Sequence, residues 1–297
     1  MIRYPITKAE LEARVEAVKP GWLARARQRT DSFRAAGDYQ EESSIWSEIK
    51  DAFLELQYDK CAYCERKLGG KSYNRKEYDI EHFRPKGSVK AWPTDAIKAA
   101  RNLSYTFALG DASAKGYYLL PYNILNYTAA CTGCNSSLKS NYFPVARSRV
   151  LESDDFARLR REEPFLLCPL GDIDPDDPED VITFEGFLPI PKLKRGARHR
   201  RGRVTIDFFD LATRSDLIRE RAGIIVTIWM AHRTLQNNQA DADDKATAQL
   251  IIDTALSPQS AHTNCARAFY RLCEQDPQKA RTYKTLAEPI LRELSRA

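Results

Sequence analysis

Cys61-Ala-Tyr-Cys64 and Cys131-Thr-Gly-Cys134 decide how this chain is read, together with Tyr78-Asp79-Ile80-Glu81-His82-Phe83-Arg84-Pro85-Lys86 between them. Each C-x-x-C is a knuckle whose tight turn aims two thiolates at one tetrahedral ion, so the pair makes one complete structural zinc site. The 66 residues between Cys64 and Cys131 exceed an ordinary zinc-ribbon gap, which makes the metal a clamp on the two ends of an inserted unit. A thioredoxin-like redox pair is the rival reading; it expects a βαβ context, and neither knuckle is followed by one. Cys168, Cys265 and Cys273 fall among apolar neighbours and read as buried structural thiols.

Inside the clamp, Glu81 and His82 sit side by side on a short alternating segment that ends before Pro85. A carboxylate that holds a divalent cation beside an imidazole that takes a proton from water suits phosphodiester hydrolysis. Alone, such a pair says little, since a lone histidine is usually an ordinary core or surface residue. Upstream, Thr7 and Glu10 form a capping-box pattern ahead of Leu11, Val15 and Val18, and Pro20-Gly21 stops that helix. Ile45, Ile49, Phe53 and Leu56 mark one face of a second helix leading into Cys61.

The order C-x-x-C, Glu-His, Asn126-Tyr127-Thr128-Ala129-Ala130-Cys131-Thr132-Gly133-Cys134-Asn135, then Lys139 and Phe143-Pro144, resembles the HNH nucleases with their ββα-metal fold. IEHFRPK and the C-x-x-C-N-x-x-x-K…FP ending are most similar to the PtuB-type HNH nucleases of Septu and retron-associated antiphage defence. EEPFLLCPLGDIDPDDPED, FEGFLP and RGRVTIDFFDLATRSDLIRER extend the likeness, which covers roughly residues 45–221. The resemblance implies an α+β fold, with a small zinc-stapled ββα-metal core flanked by N- and C-terminal helices. It implies His82 as general base, Glu81 and Asn135 as ligands of a catalytic Mg²⁺ or Mn²⁺, and Asn126 as the residue that ties the loop to the strand and orients His82. It also implies products with 5′-phosphate ends and an ABC- or AAA-type, PtuA-like ATPase partner. Arg84, Lys86 and Lys139 are the phosphate-contact candidates, and Asp79 a weaker supporting one.

Two departures stand out. Many HNH nucleases carry Asp where this chain has Glu81, one methylene longer. The 43 residues between His82 and Asn126 form a long insertion, whose Trp92, Tyr105, Phe107, Tyr117 and Tyr118 either stack on bases or pack the insertion itself.

A net charge of +5 hides a separation of sign. Residues 172–180 carry six carboxylates and no base, and residues 192–203 carry seven Lys or Arg and no acid. The basic run either contacts phosphates or pairs with the acidic one as a solvated loop. The acidic run lacks the glycine and terminal glutamate of a calcium loop. A hairpin, VITF-EG-FLPI, separates the two runs. Leu217, Ile224 and Ile228, then Leu250, Ile251 and Leu256, then Tyr283, Leu286, Ile290 and Leu294 mark three closing helices. His199 belongs to the basic run, His232 and His262 lie in expected helices, and all three read as ordinary.

These patterns suggest a helical segment over 1–44, the nuclease core over 45–150, and a hairpin with a partner-binding helical region over 151–297. The absence of a signal-peptide core, of an apolar run of 18 residues and of a Walker motif points to a cytoplasmic protein with no membrane contact and no small-molecule cofactor, acting on nucleic acid. DNA is preferred to RNA as its substrate. A non-catalytic zinc module that binds nucleic acid or protein is the competing function, but it has no need for Glu81, His82 and Asn135 together.

Overall fold

In a computed structural model of the chain, residues 1–40, 43–69, 78–171 and 173–292 are described. Thr7 opens α1 (Lys8–Val18) with the reciprocal capping box its spacing suggests. Gly21 and Gly37, both at positive φ, bracket α2 (Trp22–Ala36). A 3₁₀ turn (Trp46–Ile49) runs into α3 (Lys50–Leu56), and together they bury Ile45, Ile49, Phe53 and Leu56 as the helical spacing predicts.

β1 (Tyr78–His82) pairs antiparallel with β2 (Tyr127–Cys131), placing Glu81 opposite Thr128 and His82 opposite Tyr127. All five residues of β2 are buried, and the chain then winds into a π-helical segment (Gly133–Lys139). Gln57 holds the edge of β2 through its side chain: Nε2 donates to the Ala129 carbonyl and Oε1 accepts from the Ala129 amide, both at 2.8 Å. The insertion contributes α4 (Asp95–Arg101), and its aromatics pack inward rather than standing free to stack on bases. Trp92, Tyr117 and Tyr118 are buried, Trp92 lies 4.9 Å from Phe208, and Tyr105 donates to Asp207.

Two one-turn helices, α5 (Phe156–Leu159) and α6 (Pro178–Val181), precede the hairpin of β3 (Ile182–Glu185) and β4 (Leu188–Pro191). Glu185 pairs with Leu188, so the turn is Gly186-Phe187, one residue later than the sequence suggests. Gly186, at φ +60°, supplies the left-handed conformation there. The basic run passes through bends at 192–196 and then enters α7 (Ala197–Phe208). It pairs with the described part of the acidic run, Asp172 lying outside the described residues. Arg201 bonds Asp174 at 2.5 Å and Asp176 at 2.6 Å, Arg198 bonds Asp176 at 2.7 Å, and Lys192 bonds Asp180 at 2.9 Å. Mutual attraction therefore occupies three of the seven basic side chains of the run, Lys192, Arg198 and Arg201.

The chain closes with α8 (Ser215–Leu235), α9 (Ala242–Leu256), α10 (Thr263–Gln275) and α11 (Pro277–Arg292). In α8 Leu217 and Ile228 are buried as the spacing predicts, whereas α9 and α11 differ in part from expectation. Leu250 is 66% and Leu286 56% exposed, while Ala248, Ile252, Ala280 and Ala287 are buried. The small residues let the helices approach closely and leave the larger ones outside; Leu294 lies outside the described residues. One apolar core runs from Met1 to Leu217 with no break at residue 44 or 150, and a second joins α8, α10 and α11. The result is a helix-rich mixed fold with two small sheets. Among the described residues no helix is long and apolar enough to cross a membrane.

Candidate functional site

Cys61, Cys64, Cys131 and Cys134 come together, all buried, with their sulfurs within 4.8 Å of one another. Tetrahedral bonds of about 2.3 Å put thiolates roughly 3.8 Å apart, and Cys64 and Cys131 stand at 3.9 Å. The first knuckle is tied to the strand that leads to the second: the Ala62 amide donates to the Ala129 carbonyl at 3.0 Å. Donation from Cys134 holds Cys131 far below the usual thiol range, whereas Cys64 and Cys134 are pushed above it by their bonds to Cys131. Only a cation lets all four ionise together, so the cluster can hold a metal ion such as zinc. Arg214 adds a guanidinium N–H 3.4 Å from the Cys134 sulfur, a position the cysteine spacing alone does not reveal.

Glu81 and His82 lie at the end of β1, only 5% and 7% exposed. Burial pushes Glu81 up to about 7, against the pull of the Lys139 ammonium 3.2 Å from Oε1. No protein donor among the described residues reaches Oε2. His82 is held down to about 3 by burial, with Lys86 adding like-charge repulsion, so its imidazole is neutral at neutral pH. Its Nε2 lies 3.1 Å from the Pro121 carbonyl. A neutral ring facing a carbonyl carries its proton there, which leaves the Nδ1 lone pair available. Trp46 and Tyr127 meet the imidazole edge-on at 4.9 and 5.0 Å and fix its plane.

Asn126 is fully buried and latches the turn after β1: Oδ1 accepts from the Arg84 amide at 2.8 Å and Nδ2 donates to the Arg84 carbonyl at 3.0 Å. Asn135 sits half-buried on the π-helical segment, and its carboxamide makes no hydrogen bond among the described residues. Of the three basic candidates, Lys86 is half-buried with its ammonium 4.2 Å from the Trp46 ring centroid. The other two are not presented to solvent. Arg84 pairs with Glu162 at 3.3 Å and Lys139 with Glu81, both inside the core, because a buried carboxylate needs a counter-charge. Asp79 is exposed and pairs with Lys50 at 3.6 Å, away from His82. Trp46, Pro121, Tyr127 and Glu162 are the site residues that sequence reading missed. Only Tyr127 carried a signal, through its place opposite His82 once β1 and β2 are paired.

The closing helices are stitched to the first knuckle. Lys60 donates to the Ser260 carbonyl at 3.0 Å and Thr263 Oγ1 at 3.1 Å, Arg66 bonds Asp216 at 2.8 Å, and His262 bonds Glu220 at 2.7 Å. Burial holds the His262 imidazole below its ordinary value, against the pull of Glu220 and Glu65 and with Arg221 adding repulsion. The folded chain thus binds fewer protons here than the unfolded one, and stability falls as pH drops through about 6.5. Urea midpoints are expected to fall between pH 7.5 and 5.5, and His262→Gln to flatten that slope; an unchanged slope in the variant sinks this assignment.

The chain is similar to the Septu protein PtuB of Bacillus mycoides (strain KBAB4), at 30% identity over 186 residues, 63% of this chain and 52% of that protein. It spans about half the length of the curated relative it matches. No protein-family profile matches the chain, nor does any solved structure.

Proposed function

We propose that this chain is a metal-dependent endonuclease of HNH type that hydrolyses phosphodiesters of nucleic acid, DNA in preference to RNA, in an antiphage defence system with a PtuA-like ATPase partner. The observation that carries the reading is His82, buried, neutral and held in one plane with Nδ1 available, beside a carboxylate whose charge is only partly balanced. Likeness to PtuB supports the defence role. Cys61, Cys64, Cys131 and Cys134 hold a structural zinc that keeps β2 and the π-helical segment in register. Glu81 and Asn135 would hold Mg²⁺ or Mn²⁺, which would supply stabilisation of charge on the scissile phosphate and leaving oxygen. His82 accepts the proton of the attacking water at Nδ1. Asn126 keeps the strand end and its following turn in place, and Lys86 draws the phosphate toward the site. In this scheme Arg84 and Lys139 act on buried carboxylates instead of touching phosphate.

The Lys139 ammonium against Glu81 favours a second reading, a zinc-stabilised binding module in which that ammonium permanently takes the place of a cation. Purification of the full chain with and without its neighbouring gene products separates the two. The nuclease reading expects one zinc per chain and cleavage of DNA that requires Mg²⁺ or Mn²⁺ and stops with EDTA. Binding without cleavage of either DNA or RNA, in the presence of the partner and cation, leaves only the module.

A further inference from the structure

The basic run of 192–203 is divided by α7 into two sides. Arg198 and Arg201, three positions apart, lie on one side, where Asp174 and Asp176 take both of them. Arg200 and Arg203 each follow by two positions, about 200° further round a helix of 3.6 residues per turn, and both are exposed. Arg203 pairs with Asp207 at 2.5 Å, whereas Arg200 lies 5.7 Å from the Phe107 ring centroid and has no carboxylate partner among the described residues. The segment ahead of the helix joins this outer side. Gly196, at φ +91° with open space where a Cβ would stand, turns the chain into α7. His199 Nδ1 meets the Leu193 carbonyl at 2.7 Å, which folds residues 193–195 back on the first turn. Lys194 and Arg195 are exposed there, again without a carboxylate partner among the described residues. At the other end, Arg101 of α4 donates to the Asp207 and Phe208 carbonyls at 3.1 and 3.4 Å, peptide oxygens that offset only part of its charge.

Five cations therefore stand with one carboxylate, Asp207, which Tyr105 also engages through its hydroxyl at 2.7 Å. The inner side of the same helix, by contrast, sets two cations against two aspartates. A single-signed face repels itself until a partner of opposite charge lies on it. Separate exposed cations in a row fit a chain of repeated anions better than one anion. Of the large apolar residues exposed among the described ones, only Leu193 belongs to this segment, too little for the desolvated centre of a protein interface. Phe83, next in the chain to His82, lines with Ala197 and Arg200 a cavity of about 220 Å³ between the turn after β1 and α7, so the face adjoins the strand end that carries the candidate base. We infer that the outer side of α7 is a track for the sugar–phosphate backbone of nucleic acid, on which Lys194, Arg195, Arg200, Arg203 and Arg101 meet successive phosphates without reading base sequence. The inference deepens the nuclease reading and rests on it for the class of polyanion. Asp174 and Asp176 then anchor the helix from its inner side, which leaves the outer side to the strand.

The test uses the full, zinc-loaded chain carrying His82→Ala, so that nothing is cut, and follows its affinity for a fluorescent DNA duplex of arbitrary sequence across a series of salt concentrations. Each phosphate contact on duplex DNA contributes about 0.9 to the slope of log affinity against log salt. Adding Lys194→Gln, Arg195→Gln and Arg200→Gln together is expected to flatten that slope by roughly 2–3 and to weaken binding at least tenfold at low salt. Circular dichroism and melting temperature should stay at the parent's, since all three side chains are exposed. Lys194→Gln with Arg195→Gln, which leaves α7 itself untouched, should flatten the slope by roughly 1–2. A control that removes the same charge elsewhere, Arg14→Gln, Arg27→Gln and Arg233→Gln at exposed positions of α1, α2 and α8, should change affinity less than twofold. The inference is overturned when the two triple variants flatten the slope equally, when the α7 variant keeps the parent's slope and affinity, or when no DNA or RNA binds. Loss of binding to phosphatidylglycerol vesicles with the duplex unaffected assigns the face to a membrane and overturns it too. Cleavage assays with His82 restored separate the track from the nuclease reading. A chain that binds along this face but cuts neither DNA nor RNA sinks the nuclease and keeps the track, and a triple variant with parental affinity and parental kcat/KM sinks the track and keeps the nuclease.

Discussion

His82→Ala is expected to lower cleavage by about 10²- to 10⁴-fold, the usual contribution of a general base, while zinc content, circular dichroism and nucleic-acid binding stay near those of the parent. Among the described residues the imidazole makes one hydrogen bond, to the Pro121 carbonyl, and Tyr127 donates to that same oxygen, so its removal strands no acceptor. Glu81 needs a gentler change. Its loss would leave the Lys139 ammonium buried without a counter-charge, which makes Glu81→Gln the informative variant. Glu81→Gln and Asn135→Ala should regain activity as Mg²⁺ or Mn²⁺ is raised, because they weaken a ligand set, and His82→Ala should not. Parental cleavage rates in His82→Ala, on a substrate the parent demonstrably cuts, remove the HNH assignment and leave the binding module.

Cys131→Ser is expected to cost the chain its metal and with it the folded core. Structural zinc in small domains binds with apparent free energies of about 10–16 kcal/mol, comparable with the roughly 5–15 kcal/mol that holds a whole domain together. Cys131 also ends β2, between Asn126 and Asn135, so its release frees both ends of the candidate site at once. Metal analysis should fall from one zinc per chain to less than a tenth, and near-ultraviolet circular dichroism should lose its aromatic signal. Chelation of the parent should do the same, reversed by Zn²⁺ and not by Mg²⁺. A metal-free parent that melts at the same temperature as the loaded one would show that the four thiols are merely packed together.

What the sequence made legible was local. Thr7 and Glu10 cap α1 because their spacing is a property of one turn, and the two knuckles and the β3–β4 hairpin could be read for the same reason. Partners joined across the fold were not legible. Arg84 looks like a phosphate contact until Glu162, 78 positions away, appears beside it. His232 and His262 have no acid at ligand spacing, yet each meets one 42 positions distant, Glu274 and Glu220. The box around His82 draws Trp46 from ahead of the first knuckle and Pro121 from the far end of the insertion, and neither carries a motif. The charge runs were read with an open choice of partner, and the fold seats Arg198 and Arg201 of α7 against the aspartates. Leu250 and Leu286 failed because helical periodicity marks apolar residues without saying that a smaller alanine face will win the contact.

The stitching of Lys60 to groups 200 positions later sets an order for biosynthesis. A nascent chain emerging from the ribosome presents both knuckles, β1, β2 and the π-helical segment long before α10 exists. During that interval the Lys60 ammonium is hydrated, and the Cys134 thiol also waits for Arg214. All four sulfurs are therefore made before α8 to α10, whose arrival would close a door behind any ion bound in that interval. Slow codons or a pause between residues 140 and 210 would lengthen the loading interval, whereas refolding of the finished chain compresses both events into one and makes ion supply at that moment decide the yield.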